Sequence, residues 1–86
     1  MKKIEKILKA FANRRRLAIL KYLKQHKEAS VSNIAKEINL SFKSTSRHLA
    51  LLLAADILEK EQRSLQVFYF LKSEQIPVAR YIINQL

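Results

Sequence analysis

Lys43, Ser44, Ser46 and Arg47 place two cations and two short hydroxyls within five consecutive positions, with His48 next in line and no acid among them. Short hydroxyls allow close approach to a surface, and Arg or Lys reach guanine edges or phosphate oxygens. Read as a helix over 42–55, the stretch has two unlike sides. Phe42, Thr45, Leu49, Leu52 and Leu53 recur at the three-and-four spacing of one helical face. Lys43, Ser44, Arg47 and Leu51 fall opposite. Ser41 stands where a cap accepts the first free N–H groups. That end of the helix carries partial positive charge and would point the polar side chains toward phosphates. Such a helix suits the major groove of double-stranded DNA. The bland alternative is a helix packed in a small bundle that reads nothing.

The preceding segment positions it. Val31, Ile34, Ala35 and Ile38 mark a second apolar stripe, with Ser30 as its cap, and Asn39-Leu40-Ser41 breaks the helix in three residues. A short helix, a tight turn and a second helix with a polar outer face form the helix-turn-helix layout.

Eighty-six residues bury one core, so a single domain over 1–86 is expected. There is no Cys and no Gly. The first excludes disulfides and thiolate metal sites and fits a cytoplasmic protein; the second excludes glycine-rich phosphate loops. No apolar run approaches a membrane span and no signal-peptide pattern is expected. No Ser-His-Asp set or carboxylate pair calls for an enzyme, and no cofactor is expected. Seventeen basic against seven acidic residues give a charge of +10, which suggests a polyanionic partner. Residues 1–27 hold ten basic side chains and one acid, whereas 28–56 hold three of each. Backbone affinity would thus come partly from outside the reading unit; a solvated basic face is the alternative.

The remaining elements follow in order. Ile4, Ile7, Leu8 and Phe11 form a helical stripe over 3–11, with Lys2, Lys3, Lys6 and Lys9 turned elsewhere. Asn13 caps the next helix, over about 14–25, which is apolar nearly all round. Arg14, Arg15 and Arg16 stand in its first turn, the unfavourable end for cations. Phosphates could compensate, or Glu28, Glu37 or Asp56 brought near by folding. Residues 25–29 read as a loop. The period then changes: 58–62 and 65–71 read as two strands of a hairpin over 57–71, with a three- or four-residue turn favoured by the lack of Gly. A last helix over 74–86 carries Pro77 in its first turn and a stripe of Val78, Tyr81, Ile82 and Leu86.

Helix, helix, helix, turn, helix, hairpin, helix is a mainly α winged helix-turn-helix order. The segment 11–20, Val31-Ser32-Asn33-Ile34-Ala35, and Ser46-Arg47-His48-Leu49 followed by Leu52 resemble the ArsR-type regulators over roughly residues 4–72. The resemblance implies a dimeric DNA-binding transcriptional regulator, a repressor by expectation, whose hairpin is the wing. Three departures stand out. Ser30-Val31-Ser32 replaces the Cys-Val-Cys of soft-metal sensors, and hydroxyls do not substitute for thiolates. The last helix has no His, Asp or Cys. Asp56 replaces the usual Gly after the reading helix and tolerates the left-handed conformation better than most residues.

The expected DNA contacts are Ser41, Lys43, Ser44, Ser46, Arg47 and His48 on the helix, with Lys60, Arg63 and Gln66 on the wing. Ile4, Ile7, Leu8, Phe11, Val78, Tyr81, Ile82 and Leu86 have no obvious internal use and are expected at a two-fold dimer contact. A protein–protein module and a non-specific polyanion binder are the alternatives. No metal site is expected and the sequence names no effector. Zinc, cadmium or copper at moderate excess should therefore leave a gel-shifted DNA complex unchanged; stoichiometric metal binding that released the DNA would overturn this.

Overall fold

The computed structural model describes residues 1–86. Five helices and a three-stranded sheet follow one another as α1 (Lys2–Phe11), α2 (Arg14–His26), β1 (Glu28–Ser30), α3 (Val31–Ile38), α4 (Phe42–Ala54), β2 (Leu58–Arg63), β3 (Gln66–Leu71) and α5 (Pro77–Asn84). Three helix starts are fixed by side-chain caps. Asn13 accepts from the N–H groups of Arg15 and Arg16, Ser30 from Asn33, and Ser41 from Ser44. Each cap satisfies N–H groups that the helix itself leaves free. α5 starts later than expected: Ile76 is extended and Pro77 occupies its first turn, because proline's fixed φ suits that position only.

The sheet is antiparallel in the order β1-β3-β2. β2 and β3 form the hairpin, closed by Ser64-Leu65 between the paired Arg63 and Gln66. The expected three- or four-residue turn is thus two residues, with Ser64 supplying the positive φ of 58° that glycine usually provides. β1 corrects the expected loop. Glu28, Ala29 and Ser30 pair with Phe70, Tyr69 and Phe68; this short strand exists because β3 offers it an edge, not through propensity of its own.

One core runs through all these elements. Ile19, Leu20 and Leu23 of α2 lie at its centre with Ile34, Leu49, Leu52, Ile57 and Leu58, all essentially without solvent contact. Full burial of each large aliphatic side chain contributes about 1.5–3 kcal/mol. The terminal helices join this core. Ile7, Ala10 and Phe11 of α1 are buried, as are Ala79 and Ile83 of α5, and the Lys24 ammonium donates to the carbonyls of Asn84 and Leu86 at the end of α5. Ile7 and Phe11 therefore have an internal use and are removed from the expected dimer contact. The physical reason is geometric: a stripe at both three and four spacings spans two flanks of a helix, and only Ile7 and Phe11 point inward while Ile4 and Leu8 remain exposed. Val78, Ile82 and Leu86 are half-buried at the core's margin and Tyr81 is exposed.

Thr45 faces the core from α4 with no solvent exposure, and its Oγ1 has no hydrogen-bond partner. A buried hydroxyl without a partner costs roughly 1–3 kcal/mol. Thr45→Val, nearly equal in shape, should raise stability by about 1 kcal/mol, read as a higher urea midpoint at unchanged slope; a lower midpoint would mean that the hydroxyl is satisfied.

Candidate nucleic-acid interface

The reading helix is built by the packing beneath it. Thr45, Leu49 and Leu52 fix the inner face of α4, so the opposite row is set by helical periodicity. That row is Lys43, Arg47, Ala50 and Ala54, all exposed. Ser44 and Ser46 lie on the two flanks, half-buried, and Ser41 is exposed while its hydroxyl holds the Ser44 N–H at 3.1 Å. The helix thus offers two cations at its centre line, hydroxyls beside them and an exposed N-terminal end capped by Ser41. One expectation changes and one residue is added. Phe42, placed inside by its spacing, is 60% exposed; at the first position of the helix there is no neighbouring turn to cover it. Ala50, one helical turn beyond Arg47 on the same row, belongs to the outer surface and was missed because its small side chain carries no polar signal.

His48 sits on the inner flank of α4, and its Nδ1 lies 3.2 Å from a terminal nitrogen of Arg16. A guanidinium can only donate, so Nδ1 is the acceptor and the ring carries its proton on Nε2. Burial of the ring, then the charges of Arg16, Arg15 and Arg47, hold its pKa below the ordinary value. The same Arg16 donates to the carbonyls of Ala10 at 2.7 Å and Lys9 at 3.1 Å, and Arg15 donates to that of Ile38 at 2.9 Å. These are the last carbonyls of α1 and α3. Neither acid nor phosphate is thus needed for Arg15 and Arg16: the negative ends of two other helices receive them, while Arg14 stays exposed. Glu28 and Asp56 are engaged elsewhere, with Arg63 and Lys72 respectively.

On the wing, Lys60 and Gln66 are exposed. Arg63 is exposed too, but its guanidinium donates to Glu28 and to Glu61, each at 2.8 Å, and stacks over Phe68 at 4.8 Å. The hydrogen bonds to Glu28 and Glu61 push the Arg63 pKa up, and the bond from Arg63 holds the Glu28 carboxyl below its usual range. Arg63 therefore ties the hairpin to β1 in the free protein. Leu65 at the turn is almost fully exposed. No group of three or more His, Cys, Asp or Glu residues is placed to hold a metal ion.

Three packed helices, the last of them polar on its outer row and followed by a hairpin, define a winged helix-turn-helix protein. Residues 11–61 match the helix-turn-helix domain family. Over 80 residues the chain is 34% identical to the transcriptional activator HlyU of Vibrio cholerae, which spans 93% of this chain and 73% of that protein. The structure of that HlyU superposes with a TM-score of 0.82 over 96% of this chain and 86% of its own, at 34% identity. The transcriptional repressor PagR of Bacillus anthracis gives 0.80 at 25% identity over 98% and 92% of the two chains. A homodimeric winged helix-turn-helix DNA-binding domain from Mycobacterium bovis gives 0.85 at 28% over 98% and 75%. The chain belongs to the ArsR-type family of winged helix-turn-helix transcriptional regulators.

The lowered pKa of His48 has a consequence for stability. The unfolded chain binds this proton more tightly than the folded one, so the contribution is complete above the ordinary pKa near 6.5 and is lost as pH falls below it toward the folded value. His48→Gln keeps an acceptor for Arg16 but does not titrate. Urea unfolding at pH 7.5 and pH 5 should show the natural protein losing more stability on acidification than the variant; equal losses would place the proton outside the coupling.

Proposed function

We propose that this protein is a homodimeric, cytoplasmic repressor that recognises a specific double-stranded DNA sequence. α4 lies in the major groove and the 57–71 wing follows the adjoining backbone or minor groove. The observation that carries the reading is the outer row of α4. Lys43 and Arg47 stand exposed on a helix whose opposite face is anchored by Thr45, Leu49 and Leu52, beside a capped N-terminus able to approach phosphates. Arg47 or Lys43 can donate to guanine N7 and O6, while Ser44 and Ser46 reach bases or phosphates at short range. Ser41 and His48 border the groove, and Lys60 and Gln66 supply the wing contacts. Arg63 acts chiefly by holding the wing in place. The protein carries no catalytic function and no cofactor in this reading. PagR is a repressor and HlyU an activator by name, so the sign of regulation depends on where the site lies relative to a promoter; repression is the outcome when the site overlaps it.

The dimer rests on the apolar surface that the core leaves uncovered. Ile4 and Leu8 of α1 and Tyr81 of α5 are exposed, with Val78, Ile82 and Leu86 half-buried beside them. Monomers rarely leave such surface open, and a two-fold pairing covers both helices at once. It also spaces two copies of α4 about one DNA turn, roughly 34 Å, apart. The homodimeric Mycobacterium bovis domain supports this arrangement.

Selection of bound duplexes from a random pool at stated salt tests the reading. Two-fold repeated sites and a light-scattering mass of twice the 10.1 kDa chain are expected. Arg47→Ala should lower affinity for the selected site by about 1–3 kcal/mol and relax preference at one position. Unselective recovery of duplexes would favour a non-specific polyanion binder, and an unchanged affinity and preference in Arg47→Ala would remove that residue from the reading set.

A further inference from the structure

α1 has three distinct sides. Ile7, Ala10 and Phe11 enter the core, Ile4 and Leu8 lie exposed on one flank, and Lys2, Lys6 and Lys9 lie exposed on the other. The lysine flank faces α4. A cleft of about 200 Å³ runs between the two helices, lined by Lys6, Lys9, Ala10, Arg16, Leu51 and Ala54. Its floor is apolar and every charged group on its walls is a cation. Leu51 and Ala54 follow Arg47 on α4 at intervals of four and three, so the cleft continues the outer row of the reading helix beyond its last cation. From Arg47 to Ala54 is seven residues, a rise of about 10 Å. The nearby acid on α1, Glu5, is 3.7 Å from Lys9 across an exposed pair, too open to neutralise it strongly.

We propose that this cleft holds a sugar-phosphate segment of the same duplex, with Lys6 and Lys9 as phosphate contacts supplied from outside the helix-turn-helix. The assignment rests on the reading of α4 as the groove helix. A helix lying in the major groove leaves it across a backbone strand, and here the departing end of α4 is flanked by ammonium groups. Cationic walls match phosphate oxygens, and the floor of Ala10, Leu51 and Ala54 matches the apolar face of deoxyribose. Lys3 and Lys2 extend the same wall past Ala54, where Asp56, paired with Lys72, marks its end. The pairing flank of Ile4 and Leu8 is separate, so a dimer formed through it leaves the lysines open. These contacts carry no sequence information; they add affinity and fix register. They also give the basic N-terminal third of the chain a use that its distance from the reading unit in sequence conceals.

The salt dependence of binding to a selected duplex is the test. Each phosphate contact contributes about 0.9 to the slope of log affinity against log salt. Lys6→Ala/Lys9→Ala should therefore flatten the slope by about 1.8 per bound protomer, with base preference unchanged. Lys6→Arg/Lys9→Arg should restore it, and Lys21→Ala, on the exposed side of α2, should leave it as in the natural protein. Circular dichroism checks that the alanine variant stays folded. An unchanged slope with tight, selective binding would overturn the cleft assignment and leave α4 as the reader. Failure of the natural protein to bind any duplex would overturn both.

Discussion

The start of α2 is the constraint on which the arrangement depends. Three arginines stand where the helix dipole is already positive, and the fold answers by sending two of them to the carbonyl ends of other helices. Arg16 closes the end of α1 and reaches His48 on α4; Arg15 closes the end of α3. Each guanidinium offers several donors in a fixed plane, so one side chain satisfies carbonyls that a helix terminus would otherwise expose to water. Both helices of the reading motif are thus tied to α2, one through its last carbonyl and one through a side chain. Lysine could supply the charge at these positions but not the geometry.

Charge is divided by task in this molecule. The wing places Arg63 between two carboxylates, so this cation serves the structure of the hairpin. Asp56 and Lys72 likewise pair across the junction that follows α4. Lys2, Lys3 and Lys6 on α1 and Lys43 and Arg47 on α4 have no such partner, and neither do Arg14, Lys21 and Lys27 along and after α2. The neutral balance of the 28–56 segment understates how positive the surroundings of α4 are, because Lys6, Lys9 and Arg16 line a cleft with its Leu51 and Ala54.

The sequence made the helices legible because their signals are local. Asn13, Ser30 and Ser41 act as caps where their positions before apolar stripes required it, and Asp56 takes a left-handed φ of 63° after α4. What stayed hidden depended on tertiary partners. β1 has no strand signal and exists through the edge of β3. The partners of Arg15 and Arg16 are backbone carbonyls, which every residue has and no residue type advertises. Ile7 and Phe11 differ from Ile4 and Leu8 only in which flank meets the core. At the site, Lys43 and Arg47 were readable from periodicity, whereas the half-burial of Ser44, Ser46 and His48 and the capture of Arg63 by Glu28 required the fold.

The chain makes all its sharp turns without glycine. Lys27, Asn39, Asp56 and Ser64 each hold a positive φ, a conformation that costs a residue with a Cβ roughly 1–2 kcal/mol. Two of the four flank α4: Asn39 lies between α3 and α4, and Asp56 lies between α4 and β2. Side chains at these corners restrict the connecting backbone more than glycine would, since fewer alternative conformations are open to them. The joints on either side of the reading helix are therefore stiff. Any rearrangement of α4 must move it together with the elements to which its corners are fixed, so its exposed row is a surface formed in advance by the fold.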